Sequence, residues 1–321
     1  MVRRETGESK ALRLRKTNPW VMLGMLGILI ATIVVCGWLA FFDKTDDAEI
    51  NEVEVENDDG QITEESAYKD SENIGVEPKK IDFQPTVEEW AASVGGNKSV
   101  LIYDLDRDEA VGAYNSGEKY STASLYKLFV VYEGYRRVDS DKWEADAPAG
   151  ATGYTIKECL DLAIRESHSP CAEAMWDKIG EDTLDEIIEQ DYEIANSDIS
   201  EFVSTSEDIA KIMKKYYYHR DIKDEALLAQ MKDSFLNQPA TEYDWRQGLP
   251  SGFSDAAKVY NKVGWEYNAD EGHWDIYHDA AIVEFSNENR NYVVVVMTNG
   301  VPYQKIRDFG KKFEQTYLDN I

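Results

Sequence analysis

The chain has 321 residues, 43% of them hydrophobic, enough for one large core or two small ones, which excludes a wholly disordered protein. Lys and Arg number 34 against 62 Asp and Glu, and a net charge of −28 excludes a groove that tracks nucleic-acid phosphates. Three cysteines are too few for a disulfide-dense scaffold or a four-cysteine zinc site, and the four histidines, His168, His219, His273 and His278, lack HExxH-type spacing, so no metal or cofactor is expected.

The charge divides the chain. Residues 1–19 carry Arg3, Arg4, Lys10, Arg13, Arg15 and Lys16 against Glu5 and Glu8, a net +4. Residues 20–42 carry no charge, and as a helix these 23 residues would span about 34 Å, slightly more than a bilayer core. Trp20 and Trp38 lie near the two ends, where interfacial aromatics sit. The basic flank stays in the cytoplasm by the positive-inside rule, so everything after residue 42 faces outward. A cleaved signal peptide is the rival reading, but it would have a shorter apolar region and a small-residue cleavage site, and none follows here. Lipid modification of Cys36 fits poorly, with Val35 before it and further apolar residues after it. The expectation is a single-pass cell-membrane protein with a cytoplasmic tail at 1–19 and a transmembrane helix at 20–42. Residues 43–80 hold 14 acidic residues and 4 lysines with almost no apolar periodicity, the composition of an extended, self-repelling linker. Residues 81–321 carry all the strong periodicity, contain no internal repeat, and are expected to form one domain.

Within that domain, 86–92 reads as a short helix. Strands at 98–103 and 110–114 flank a turn, a hairpin pattern. From Ser124, the apolar residues Leu125, Leu128, Phe129 and Tyr132 recur at helical spacing. Helices follow at 155–165, 171–179 and 182–189, and Thr205-x-x-Asp208 caps another that runs to about 217. Strands are expected at 258–267, 276–285 and 292–298. The continuous run Val293–Val296 suggests a strand covered on both faces. A last helix spans about 304–318. The simplest packing of this order is an α+β fold with all five strands in one antiparallel sheet, terminal helices on one face and an all-helical subdomain on the other.

Three Ser-x-x-Lys triplets occur, at Ser66, Ser116 and Ser124. The spacing puts a hydroxyl and an amine on one helix face, where a neutral amine can take the hydroxyl proton. The first triplet lies in the linker and the second in a polar loop; only Ser124-Leu-Tyr-Lys127 opens an apolar helix. A helix N-terminus offers free N–H groups to a developing oxyanion, although an ordinary N-cap serine has the same signature. Lys262-Val263-Gly264 places a lysine beside a glycine in a strand, where a substrate backbone could approach closely and a carboxylate could be met. A surface strand lysine reads the same way, and Lys178-Ile179-Gly180 shows how easily the triplet arises. Ser167-His168-Ser169 precedes a helix, where a simple N-cap cluster is the plain alternative. Cys159 and Cys171 sit on consecutive helices in the outward domain, 12 residues apart. A disulfide there would brace the Ser167 loop, the other reading being two buried free thiols.

Taken together, these elements appear in the order of the S-x-x-K, S-D-N and K-T-G motifs, and the domain resembles the class A β-lactamase and penicillin-binding-protein serine hydrolases. The resemblance extends to the surroundings: YSTASLYKL at 120–128, YTIKECLDLAIRESHSPCAEAMWDKIG at 154–180, QGLPSGFSDAAKVYNKVGW at 247–265, and the strands at 278–298. It implies that Ser124 is the acylated nucleophile, Lys127 its activating base, Ser167 a proton relay to the leaving group, and Lys262 the holder of that relay and of a substrate carboxylate. It places Ser169 and Gly264 in substrate binding and makes the N–H groups of Ser124 and Trp265 the oxyanion hole. The implied fold is the same five-stranded sheet with flanking helices.

The sequence departs from the family pattern at three places. His168 and Ser169 replace the Asp that braces the loop and the Asn that binds a substrate amide, and Val263 replaces a hydroxyl residue. Only 24 residues separate Gly180 from Thr205, and they contain no E-x-x-L-N, the motif that carries the deacylating glutamate of β-lactamases. Glu181-x-x-Leu184-Asp185 comes too soon and lacks the Asn; Glu166, Glu173 and His168 lie near Ser167 without the expected loop. The expectation is a membrane-anchored, extracytoplasmic serine hydrolase acting on β-lactam or peptidoglycan-like peptide amides. A true β-lactamase with another deacylation route and a catalytically dead wall-binding or scaffold module are the alternatives. Retention of both Ser124 and Lys127 favours catalysis, since a dead site has no physical need of the pair.

Overall fold

The computed structural model of the protein describes residues 79–239, 243–269 and 272–321. The expected tail at 1–19, membrane helix at 20–42 and all of the linker except Lys79 and Lys80 lie outside the described residues. Among the described residues no helix is long and apolar enough to cross a membrane.

Helix α1 (Gln84–Ser93) begins with proline in its first turn, where a missing N–H costs nothing. Strands β1 (Asn97–Asp104) and β2 (Glu109–Tyr114) form the expected hairpin. Its turn is held by Asp104 Oδ1, which accepts from the N–H groups of Asp106 and Arg107, both at 3.1 Å. A two-residue strand, β3 (Tyr120–Ser121), leads into a 3₁₀ turn (Ala123–Leu125) and helix α2 (Tyr126–Asp139). Helices α3 (Ile156–Arg165), α4 (Ser169–Ile179) and α5 (Glu181–Gln190) follow. Strand β4 (Val203–Ser204) precedes α6 (Ser206–Tyr218) and α7 (Glu225–Leu236). The chain ends with β5 (Ala257–Asn268), β6 (His273–Phe285), β7 (Arg290–Asn299) and α8 (Tyr303–Leu318).

Five strands pair antiparallel in the order β2-β1-β7-β6-β5. The central strand explains the two layers. Along β7, Val293, Val295 and Met297 face the helical subdomain, while Tyr292, Val294 and Val296 face α1 and α8, and all six are fully buried. A two-residue side-chain period with both faces apolar requires a cover on each side. The terminal helices supply one cover: Phe83, just before α1, stacks on Phe313 of α8 at 4.5 Å, and Trp90 Nε1 donates to Lys305 O at 2.8 Å. Helix α2 forms the centre of the other. Residues Tyr126 to Tyr135 are buried all round, as expected of a helix enclosed by other helices.

Caps match the sequence signals. Thr155 and Glu158 close a reciprocal capping box on α3, and the Thr205 side chain accepts from Asp208 N–H at 3.1 Å. Helix α7 and the two-residue β3–β4 pair are not among the expected elements, although Asp224 caps α7, accepting from Leu227 N–H at 2.9 Å. The other difference is at Ser124, where the apolar spacing predicts an α-helix: the chain first makes a 3₁₀ turn, and α2 starts two residues later.

Candidate active site

The Ser124 turn is held from two sides. On one, β3 pairs with β4, Ser121 opposite Val203, and Thr122 N–H donates to Phe202 O at 2.7 Å. On the other, β5 presses against the turn at Gly264. A Cβ there would lie 2.7 Å from Thr122 O and 2.9 Å from Leu125 Cγ, so only glycine allows this approach. Ala123 takes a positive φ of 43°, an uncommon conformation for a residue with a Cβ. The arrangement leaves Ser124 half-buried while its neighbours Leu125 and Lys127 are fully buried. Ser124 caps no helix: the cap positions fall on Thr122 and Leu125, neither with a side-chain cap bond. Gly264, expected at the substrate, therefore has a packing role that the sequence did not suggest.

Lys127 has three ammonium protons and three oxygen neighbours. It donates to Ser167 O, to Ser167 Oγ at 3.3 Å and to Ser169 Oγ at 3.0 Å. Lys262 donates to the same Ser167 Oγ at 2.8 Å and to Val263 O at 2.8 Å. The structure thus brings Lys127, Ser167, Ser169 and Lys262 into one hydrogen-bonded group. Ser169, expected at the substrate, is tied to Lys127. No hydrogen bond joins the Ser124 hydroxyl to another described residue.

Burial sets the charge state of both lysines. Desolvation brings the Lys127 amine from an ordinary 10.5 down to about 8, against the weaker opposing attraction of Glu173. Lys262 is pushed well below its ordinary value by burial first and by the charge of Lys127 second, with Asp279 pulling the other way. A buried amine that is partly neutral near pH 7 can accept a hydroxyl proton.

The loop between α3 and α4 carries the shared hydroxyl. Ser167 has φ +56°, which turns its side chain and its carbonyl toward Lys127. His168 is the N-cap of α4, its Nδ1 accepting from Cys171 N–H at 3.3 Å. This bond makes His168 the cap of α4. Cys159 of α3 and Cys171 of α4 are joined by a disulfide with Cα atoms 4.7 Å apart, tying the helices on either side of the loop.

Below Lys262 lies a polar group that sequence reasoning did not single out. Asp279, buried on β6, accepts from Asn261 Nδ2 at 3.0 Å and from Leu249 N–H at 2.7 Å. Burial raises its carboxyl to about 7, against those two bonds and the attraction of Arg246 and Lys262. The clue in the sequence is a charged residue, Asp279, directly before the apolar run Ala280–Val283. Trp265 follows Gly264, and its indole lies 5.3 Å from the Trp245 ring and stacks with Tyr303 at 5.6 Å.

The model of the beta-lactamase enzyme family matches residues 82–316. Among solved structures, a β-lactamase from Xanthomonas campestris pv. campestris aligns with a TM-score of 0.61 at 12% identity, over 73% of this chain and 96% of that one. An ancestral (GNCA) class A β-lactamase gives 0.60 at 16% identity, covering 73% and 99%. PBP-A gives 0.60 at 17% identity, covering 75% and 99%. Among curated proteins none is significantly similar in sequence. At these identities the structures speak for the fold, and the family match speaks for descent. Since that match takes in the sheet, the Ser124 turn and both terminal helices, the chain belongs to the β-lactamase enzyme family and has the fold of its serine hydrolases.

Proposed function

We propose that the protein is a membrane-anchored, extracytoplasmic serine acyl hydrolase that opens β-lactam or peptidoglycan-like peptide amides through an ester on Ser124. The observation that carries the reading is the pair of buried lysines, Lys127 and Lys262, meeting on Ser167 Oγ beside the Ser124 turn. Burying two ammonium groups together is costly, and catalysis gives a physical reason to keep them. Ser124 Oγ attacks the carbonyl carbon as its proton passes to neutral Lys127. The N–H groups of Ser124 and Trp265 hold the oxyanion, each such donor contributing about 10²–10³ in rate. The C–N bond then breaks, and the leaving nitrogen takes the proton of Ser167 Oγ, which the two lysines replenish. What remains is an ester on Ser124, for water to hydrolyse.

That last step is slow in this reading. The short segment after α4 contains no E-x-x-L-N, and Asp185, where that pattern would need Asn, accepts from the N–H groups of Ile199 at 2.8 Å and Ser200 at 3.2 Å. The membrane anchor rests on the uncharged residues 20–42 and their basic flank. Labelling of the whole protein with a fluorescent penicillin, compared with Ser124→Ala, tests the proposal. Label on the wild type alone supports it; equal label on both refutes Ser124.

A further inference from the structure

His278 is the one histidine in the sheet interior, fully buried on β6 opposite Gly264 of β5. It sits where the β6–β7 ladder opens. Ile276 pairs with Asn299 and Asp279 with Val296, and between them the usual partners are not matched. Thr298 N–H is satisfied instead by the His278 ring, donating to Nδ1 at 2.9 Å, while the Thr298 hydroxyl goes to Tyr277 O. An Nδ1 that accepts from a backbone N–H carries no proton, so the ring proton is on Nε2. Nε2 lies 2.7 Å from Ser121 O and donates to it. Burial holds the imidazole neutral, bringing it down to about 4.

Ser121 is the last residue of β3, three positions before Ser124. The ring therefore links the backbone that delivers Ser124 to the two strands β6 and β7. Its Cδ2 also stands 3.3 Å from where a Cβ on Gly264 would be, so the ring and the turn occupy the same glycine gap. From this geometry we infer that His278 is a positioning residue: its Nε2–H, bonded to Ser121 O, fixes the Ser124 turn against the sheet at the height required for attack. The catalytic part of the inference rests on Ser124 being the nucleophile; the structural link does not.

Two substitutions separate the two nitrogens. His278→Asn keeps an acceptor near Nδ1 for Thr298 but has no donor that reaches Ser121 O. His278→Gln places an amide donor near Nε2. Penicillin acylation of His278→Asn should fall on the order of 10²-fold, the usual cost of a reacting group displaced by about 1 Å, with the noncovalent penicillin affinity little changed. His278→Gln should recover most of that rate. Amide hydrogen exchange at Leu125, whose N–H donates to Thr122 O at 2.9 Å, should rise in the Asn variant and return toward wild type in the Gln variant. Equal acylation in all three proteins, or equal loss in both variants, overturns the inference. If wild type takes no label, or Ser124→Ala labels equally, the nucleophile reading fails and Leu125 exchange alone decides the link: no rise in the Asn variant overturns it. Should the Asn variant not fold, the wild-type side-chain ¹H–¹⁵N spectrum still tests the geometry. It must show His278 protonated on Nε2, and protonation on Nδ1 overturns the inference.

Discussion

Lys127 as a general base makes the acylation rate depend on pH in a calculable way. Its amine titrates at about 8, where an ordinary lysine titrates at 10.5. At pH 7 about one molecule in ten then has the neutral amine, against roughly one in 3,000 without burial, so burial raises the base population ~300-fold. Acylation should climb roughly tenfold between pH 7 and 9 and level off above. Stability moves in the same direction. A folded value below the unfolded one means that the unfolded chain binds the extra proton, so stability rises with pH between about 8 and 10.5. Below pH 8 the buried ammonium costs about 3 kcal/mol. Lys127→Met removes that cost and loses the three bonds to Ser167 and Ser169, roughly 1.5–3 kcal/mol each for a charged donor. The loss outweighs the gain, so the variant should melt below wild type at pH 7 while acylating at least 10²-fold more slowly. Stopped-flow acylation by penicillin from pH 6 to 10, with melting curves alongside, measures both. Lys262 is close enough to titrate jointly with Lys127. Lys262→Arg, which stays charged, should keep a limb at or below the wild-type midpoint. A flat profile, a limb lost in Lys262→Arg, or unimpaired Lys127→Met would refute Lys127 as the base.

Gly264→Ala would press a methyl group into Thr122 O, destabilising by about 1–3 kcal/mol and slowing acylation more than it lowers the melting temperature; wild-type acylation would show that the gap tolerates a Cβ. Mass spectrometry after mixing with penicillin should reveal a long-lived adduct on Ser124; rapid turnover without an adduct would call for a deacylating base elsewhere. The Cys159–Cys171 bridge is worth about 3 kcal/mol by loop closure, and thiol titration of unreduced, denatured 81–321 should find none, two free thiols refuting it. Protease added to intact cells should release the catalytic domain by cutting within 43–80, and a protected domain would overturn the outward topology.

Much of the layout could be read from one-dimensional pattern. The apolar run of β7 announces a strand covered twice because side chains alternate in a sheet. Thr155 and Thr205 mark helix starts because a hydroxyl near free N–H groups is a local interaction. The order of Ser124–Lys127, Ser167 and Lys262 pointed to one site because a shared motif order carries information that no triplet has alone. Packing between distant segments was not legible. Gly264 looked like a substrate-facing residue, and its contact with Thr122 exists only once β5 lies across the turn. The bond from Lys127 to the Ser169 hydroxyl was hidden as well, since it depends on the Ser167 backbone with its positive φ. His278 was a lone histidine, more than 150 residues from the Ser121 carbonyl that it holds. The charge of the lysines was equally hidden: Lys127 and Lys262 stand 135 positions apart in the sequence, and only the fold removes the water that would keep both protonated.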